Sequence, residues 1–189
     1  MSLDFILFDE AGKKNTEKSL EIAKKNAEIL NIKNIVIAST SGFTAKKALD
    51  YFNPKEYNLV VVTHNYGFKE KKPQEMDEKT QQELKSKGIN IVTGTLAFSG
   101  VDSALQKKFG YWDFLALYAK VLRIVFCDGI KVCQEIMLMA ADAGAIPLGD
   151  NIITVAGTGA GADTVCQILS SSSRKFLDSR VKAIFAKPK

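Results

Sequence analysis

Residues 34–52 read NIVIASTSGFTAKKALDYF, and this stretch decides the fold class of the chain. Its first five residues form a short, mostly β-branched run that is typical of a buried strand. Polar residues follow, and from Thr44 onward the apolar side chains recur at helical spacing. The stretch therefore predicts a strand, a polar loop and a helix in direct succession.

The same succession repeats on both sides of this stretch. Residues 16–30 form an amphipathic helical pattern, with Thr16 as the expected N-cap after Asn15. Further helices are predicted within residues 76–88, 110–126, 129–144 and 163–176, and further strands within residues 59–68, 89–95, 152–159 and 181–187. Apolar strands that alternate with helices imply a mostly parallel sheet covered on both faces. We predict an α/β fold, a three-layer α/β/α sandwich, as one domain over residues 1–189.

The amino-acid composition indicates which classes of partner the protein is expected to bind. The chain has 26 basic and 21 acidic residues, a net charge of +5, and the basic residues are spread over several predicted helices. This spread favours a solvated surface over a nucleic-acid face, although it is compatible with an anionic ligand. No segment reaches the apolar length of a membrane span. We expect a protein that binds neither nucleic acid nor membrane.

The cysteines and the single histidine argue against a metal or disulfide framework. Cys127, Cys133 and Cys166 lack C-x-x-C spacing, and His64 is the only histidine. Each cysteine lies among apolar residues, where a buried thiol acts as a small hydrophobic side chain. Free buried thiols, together with an N-terminus unlike a signal peptide, lead us to expect a cytoplasmic protein.

Polar, glycine-rich stretches follow four of the predicted strands, at residues 39–44, 63–67, 93–95 and 157–163. Ligands of open α/β sheets collect at these carboxyl ends. The first stretch combines four hydroxyls with a glycine that permits close approach of the backbone to an anion. Its residues are Ser39, Thr40, Ser41, Gly42, Phe43 and Thr44. They predict a phosphate-binding loop, and a helix cap by Ser41 or Thr44 would account for only one hydroxyl.

Two other strand ends leave their interpretation open. Residues 157–163, GTGAGAD, match the loose dinucleotide pattern and are expected to open a helix, but no acidic residue follows at the expected distance. They are either a second ligand-facing turn or a site of tight helix packing. His64 either contacts the ligand or is structural, because no partner acid is identifiable from sequence. Asp102, Asp128, Glu135 and Asp142 are the other acids in unusual contexts.

At STSGFTA the chain resembles the C-terminal domain of pyruvate kinase, whose sugar-phosphate effector loop has an S-T-S-G-x-T run. Over its whole length it more closely resembles a stand-alone family of pyruvate kinase α/β-domain-like proteins. The stretches that carry this resemblance are GKKNT, ASTSGFTA, VTHNYGF, SGVDSA, DGIKVCQEIMLMAADAG and GTGAGADTV. The resemblance implies a three-layer α/β/α fold and flavin mononucleotide (FMN), which accompanies some members.

The same resemblance implies where FMN would lie. Its phosphate is expected on residues 39–44. The ribityl chain and ring are expected among Asn15, Thr16, Thr63, His64, Gly67, Phe68, Thr158, Gly159 and Asp163. Pyruvate kinase activity is not expected, because the catalytic (β/α)₈ barrel needs about 250 residues.

Three functional hypotheses follow. The first is an FMN- or nucleotide-binding protein with flavin-dependent oxidoreductase activity. The second is a regulatory module that senses a sugar phosphate without chemistry, and the third is an assembly domain whose turns are only structural. The apolar helices predicted at residues 110–126 and 129–144 suggest a homodimer or higher homo-oligomer.

Overall fold

The computed structural model describes residues 2–110 and 114–189. Its strands are β1 (Ile6–Phe8), β2 (Asn34–Ala38), β3 (Asn58–Thr63), β4 (Asn90–Thr93), β5 (Asn151–Ala156), β6 (Thr164–Leu169) and β7 (Arg180–Pro188). Its α-helices are α1 (Thr16–Ile29), α2 (Phe43–Ala48), α3 (Glu78–Ser86), α4 (Val101–Phe109), α5 (Phe114–Val125) and α6 (Asp128–Asp142). The strands form one seven-stranded sheet in the order β1-β7-β6-β5-β2-β3-β4.

The sheet separates two apolar cores, because alternate side chains of a strand point to opposite faces. In β3, Leu59 and Val61 pack into the core that α1, α2 and α3 cover. Val60 and Val62 pack into the core that α5 and α6 cover. The predicted α/β fold with helices on both sides of a mostly parallel sheet is therefore confirmed.

One predicted helix is wrong. Residues 163–176 instead form β6 and, after a short irregular stretch, a 3₁₀ segment at Ser173–Asp178. β6 pairs antiparallel with both β5 and β7, so the sheet is mixed. Both faces of β6 are buried, so its apolar run lacks the alternation that marks a half-exposed strand. A buried strand of this kind cannot be distinguished from a buried helix by periodicity.

This correction changes the meaning of residues 157–163. They form the loop of a β-hairpin between β5 and β6, which we call the hairpin loop, and they do not open a helix. The expectation that these residues open a helix is therefore wrong, and their loose match to the dinucleotide pattern has no structural counterpart, because that motif needs a helix N-terminus after the strand. Gly159 and Gly161 take positive φ angles of 73° and 75°, which shape the loop.

Smaller differences between the predicted and the observed structure concern the ends of helices and two short elements. Thr16 is the first residue of α1 and Asn15 occupies the cap position, since a 3₁₀ turn at Lys13–Asn15 leads directly into the helix. Neither β1 nor α4 was predicted. The predicted helix at residues 110–126 corresponds to α5, and its residues 111–113 lie outside the described residues.

Three structural observations concern the predicted partners and location of the protein. No helix in the described part of the chain is long and apolar enough to cross a membrane. The three cysteines are free and buried, as predicted. α5 leaves Phe114, Leu117, Val121 and Ile124 exposed. Homo-oligomer formation and a cytoplasmic location stay predictions.

The strand order reverses direction between β2 and β5. From β2 the chain proceeds outward through β3 to β4, and from β5 it proceeds in the opposite direction through β6 to β7, which lies beside the edge strand β1. β2 and β5 are themselves parallel neighbours. Such a switch point leaves a crevice outside the carboxyl ends of the two strands. Residues 39–44, hereafter the 39–44 loop, and the hairpin loop flank this crevice.

A buried carboxylate fixes the hairpin loop. Asp163 Oδ2 accepts hydrogen bonds from the N–H groups of Gly12 at 2.8 Å and Thr158 at 3.1 Å, and Oδ1 accepts from the Thr164 hydroxyl at 2.7 Å. Thr16 adds a second tie, since its Oγ1 accepts the Ala162 N–H at 3.0 Å. The turn before α1 and the hairpin loop therefore form one bonded unit.

Asp163→Ala should lower the free energy of unfolding by about 2–4 kcal/mol, because it removes hydrogen bonds to a buried carboxylate and leaves N–H groups unpaired. Asp163→Asn keeps one acceptor oxygen for the two N–H groups and should cost about half as much or less. Urea unfolding of both variants measures this. A decrease of less than about 0.5 kcal/mol in the free energy of unfolding of Asp163→Ala would show that the hydrogen bonds to Asp163 contribute little to stability.

Gly42 occupies a sterically tight position within the 39–44 loop, directly before the first residue of α2. Its φ is 88°, and a Cβ built there would lie 2.5 Å from Thr80 Cγ2. Gly67 has a similar φ of 77° with nothing within 4 Å of a built Cβ. The two glycines thus share the backbone strain that a side chain would meet, but only Gly42 adds a steric clash.

Gly42→Ala should therefore destabilise the fold by about 2–4 kcal/mol, from a left-handed backbone and overpacking together. Gly67→Ala should cost about 1–2 kcal/mol from the backbone alone. Chemical denaturation measures the free energy of unfolding of both variants. Equal losses would mean that Thr80 adjusts freely and that the 39–44 loop is not sterically fixed.

Candidate functional site

The 39–44 loop is anchored by Ser39. This buried residue donates its N–H to Val62 O of β3 at 2.9 Å, and its Oγ accepts the Ala45 N–H of α2 at 3.2 Å. The capping hydroxyl is thus Ser39, whereas Ser41 and Thr44 were the residues considered from sequence. Gly42 occupies the formal cap position without a side-chain bond.

The rest of the loop keeps its donors free. The backbone N–H groups of residues 40–44 donate no hydrogen bond to another described residue. Among the described residues, the hydroxyls of Thr40, Ser41 and Thr44 have no hydrogen-bond partner either. Thr44 is only 3% exposed, and it lines the cavity described next. A compact group of unused donors is suited to an anion.

A cavity of about 370 Å³ lies beside these donors, and we call it the main cavity. The 39–44 loop forms one wall, and Gly157, Gly159, Ala160 and Gly161 of the hairpin loop form another. The remaining lining residues are Lys13, Ala38, His64, Arg123, Asp128 and Val132. The cavity therefore occupies the crevice at the switch point between β2 and β5.

Two cations line the main cavity. Lys13 Nζ lies 4.0 Å from the centroid of the Phe43 ring and makes no ion pair with any described residue. Arg123 Nε lies 2.9 Å from Asp128 Oδ1, so part of its charge is balanced. The cavity therefore carries a positive potential that comes mainly from Lys13.

His64 has an acidic partner that the sequence did not reveal. Its Nδ1 lies 2.6 Å from Glu75 Oε2, and Lys69 Nζ lies 2.6 Å from the other oxygen of Glu75. Partial burial acts to raise the pKa of Glu75, but the hydrogen bonds from Lys69 and His64 outweigh it and lower the pKa. An ionised carboxylate only accepts, so Nδ1 carries a proton and Nε2 remains for a ligand.

A second cavity, of about 120 Å³, adjoins the first, and we call it the small cavity. The two share Ala38, Thr40, His64, Arg123 and Val132 in their linings. The small cavity adds Thr63, Phe68, Lys131 and Glu135 together with apolar residues of β3 and α6. The Phe68 ring stacks against His64 with 3.8 Å between centroids.

Lys131 and Glu135 form a buried ion pair on α6. Glu135 Oε1 also accepts the Phe98 N–H at 2.9 Å and the Ser99 hydroxyl at 3.3 Å. Burial lowers the pKa of Lys131, and the neighbouring Glu135 offsets this only in part. A charged pair therefore lies beside the aromatic wall of the small cavity.

The structure brings together part of the predicted set. Ser39, Thr40, Ser41, Phe43, Thr44, His64 and Gly159 line the main cavity, and Thr63 and Phe68 line the small one. The other predicted residues are absent from both linings: Asn15, Thr16, Gly42, Gly67, Thr158 and Asp163. Asn15 bonds to Glu10 O, Thr16 and Asp163 hold the hairpin loop, and Gly67 N–H bonds to Pro73 O. These residues support the walls.

The sequence interpretation missed five residues of the site or its surroundings, which are Lys13, Lys69, Glu75, Arg123 and Lys131. Only Lys13 had a local signal, as part of the GKKN turn before α1. No group of three or more His, Cys, Asp or Glu that could hold a metal occurs within residues 2–110 and 114–189.

This chain is similar to a pyruvate kinase of known structure and to one protein-family model. Among solved structures, a pyruvate kinase from Cryptosporidium parvum is similar over 80% of this chain, at 17% identity and a TM-score of 0.42. The match spans 22% of that pyruvate kinase, so this chain corresponds to about a fifth of its length. The model of the pyruvate kinase alpha/beta domain family matches residues 17–168, which include the 39–44 loop and the hairpin loop. The chain belongs to the pyruvate kinase alpha/beta domain family.

Proposed function

We propose that this domain binds FMN, with the phosphate on the 39–44 loop. The observation that carries the proposal is the set of unused N–H and hydroxyl donors of residues 40–44 that faces a cavity beside an unpaired lysine. A phosphate monoester carries a charge of about −1.5 to −2 at neutral pH and needs several donors. The loop and Lys13 together supply both the donors and a balancing charge.

The other end of the site suits a planar ring. His64 and Phe68 offer a stacked aromatic wall, and Val62, Val132 and Ile136 offer apolar surface. The main cavity falls within the range of about 300–1,000 Å³ of ligand pockets. These features support a ligand with an anionic end and an aromatic end.

The residues of this chain would bind and orient the cofactor. FMN itself supplies electron-transfer chemistry when bound, which makes an oxidoreductase the reaction class that fits. His64 lines both cavities while Glu75 holds its Nδ1, so His64 is the residue placed to exchange a proton or a hydrogen bond with a ligand.

Lys13→Met should weaken FMN binding by about tenfold or more, because a charge-assisted contact to phosphate is lost. Riboflavin, which lacks the phosphate, should bind both proteins equally. Lys14→Met is the matched control, since Lys14 pairs with Glu10 and lies outside both cavity linings. Quenching of flavin fluorescence measures each affinity. Equal weakening in the two variants would indicate a general charge effect, and no uptake of FMN by the unaltered protein would refute the proposal.

A second candidate is a module that senses a sugar phosphate. The observation that favours it is the presence of two cations from different elements, Lys13 before α1 and Arg123 on α5, on one hydroxyl-lined cavity. Two such charges suit a sugar with two phosphates at least as well as FMN. In this candidate the cavity binds and releases a metabolite, and no chemistry follows.

A sugar bisphosphate at about 100 times its Kd should raise the Tm by about 5 °C or more if this second candidate holds. Arg123→Met should remove most of the advantage of the bisphosphate over the monophosphate. Differential scanning fluorimetry with the bisphosphate, the monophosphate and FMN makes the comparison. Stabilisation by FMN alone would reject the sensor.

A further inference from the structure

The buried Lys131–Glu135 pair is costly for stability. Their side chains are only 3% and 6% exposed, and charged pairs of this kind are often no more stabilising than apolar side chains of equal volume. Lys131 also lies near the N-terminal end of α6, where the helix dipole disfavours a cation. A pair that is unfavourable in two respects is a candidate for a functional role.

The pair also has unused hydrogen-bonding capacity. Lys131 Nζ bonds only to Glu135 among the described residues, so two of its three donors are free. Glu135 uses both lone pairs of Oε1 on Phe98 and Ser99 but only one of Oε2, on Lys131. The small cavity therefore presents donors and one acceptor side by side.

A donor beside an acceptor is complementary to the edge of an amide or imide, in which a carbonyl oxygen adjoins an N–H. The rings of His64 and Phe68, tilted by 35° to one another, line the same cavity and offer an aromatic surface beside which a planar ring with such an edge fits. The volume of about 120 Å³ approaches that of a cavity of about 150 Å³ that holds benzene. This is enough room for one ring edge.

We infer that Lys131 and Glu135 form a subsite for the imide edge of a planar heterocycle, with Lys131 donating to the carbonyl oxygen and Glu135 accepting the N–H. The inference rests on the proposed function, because the ring would extend from a phosphate held by the 39–44 loop. A flavin and a uracil-type nucleobase share this edge, so both belong to the expected ligand class.

The test uses four ligands on the full chain, namely FMN, riboflavin, N3-methylriboflavin and UMP. Methylation removes the imide N–H and should weaken binding of riboflavin by about tenfold, the loss expected for one hydrogen bond to a charged group. Lys131→Met should weaken FMN and riboflavin by about tenfold or more, and equally, because the phosphate contact is untouched. UMP in place of FMN distinguishes a nucleobase from a flavin.

Two further variants guard against misfolding. Lys131→Met leaves Glu135 buried without its cation, so the double variant Lys131→Met, Glu135→Gln removes the charge while Gln keeps an acceptor for Phe98 and Ser99. Lys24→Met is the matched control, since Lys24 and Glu28 form another i,i+4 pair on α1 and neither residue lines the cavities. Affinities in the control should not change.

Each outcome decides the inference separately from the proposed function. Unchanged riboflavin and FMN affinities in the folded double variant, or equal binding of the N3-methyl compound, would overturn the subsite while FMN binding stands. Riboflavin binding that depends on Lys131, with no gain from the phosphate of FMN, would support the subsite and overturn the phosphate site. If no flavin and no UMP binds, both are overturned.

Discussion

The parallel pairing of β2 with β5 is the constraint on which the site depends. The register of this pair aligns Ile35 with Ile153 and Ile37 with Val155, so both strands end at the same level of the sheet. Each strand then leaves the sheet into a different kind of loop, one leading to α2 and the other returning as β6. Because the strand order reverses here, a crevice is left between the two loops, and both of them line it.

Some of the charged side chains around this crevice are paired and others are not. This difference indicates which part of the site attracts an anion. Arg123 with Asp128 and Lys131 with Glu135 are paired, so they contribute directed hydrogen bonds more than net charge. Lys13 has no acidic partner among the described residues and lies at the exposed mouth. Net attraction of an anion is therefore concentrated near the 39–44 loop, while the interior is polar but nearly neutral.

The sequence predicted correctly those elements whose structure depends on residues close together in the chain. NIVIASTSGFT specifies a strand and a donor-rich loop within eleven residues, and both are present. β6 was misread because burial on both faces removes alternation, and this error carried over to the hairpin loop. Glu75 and Lys131 were invisible for another reason: their relation to the site exists only after β3, its following loop and α6 have packed together.

The difference between the locally encoded loop and the residues that packing brings together limits how much a loop motif alone can indicate about the identity of a ligand. Hydroxyls and N–H groups at a strand end recognise a phosphate but not the molecule that carries it. Discrimination requires buried groups with a fixed hydrogen-bonding pattern, because leaving such groups unpaired is what penalises the wrong ligand. In this chain the Lys131–Glu135 pair is buried in this way, and Glu75 holds His64, whose side chain is 31% exposed, in one orientation. Under the proposed function, two domains with the same loop would therefore bind different phosphorylated compounds when their residues at these positions differ.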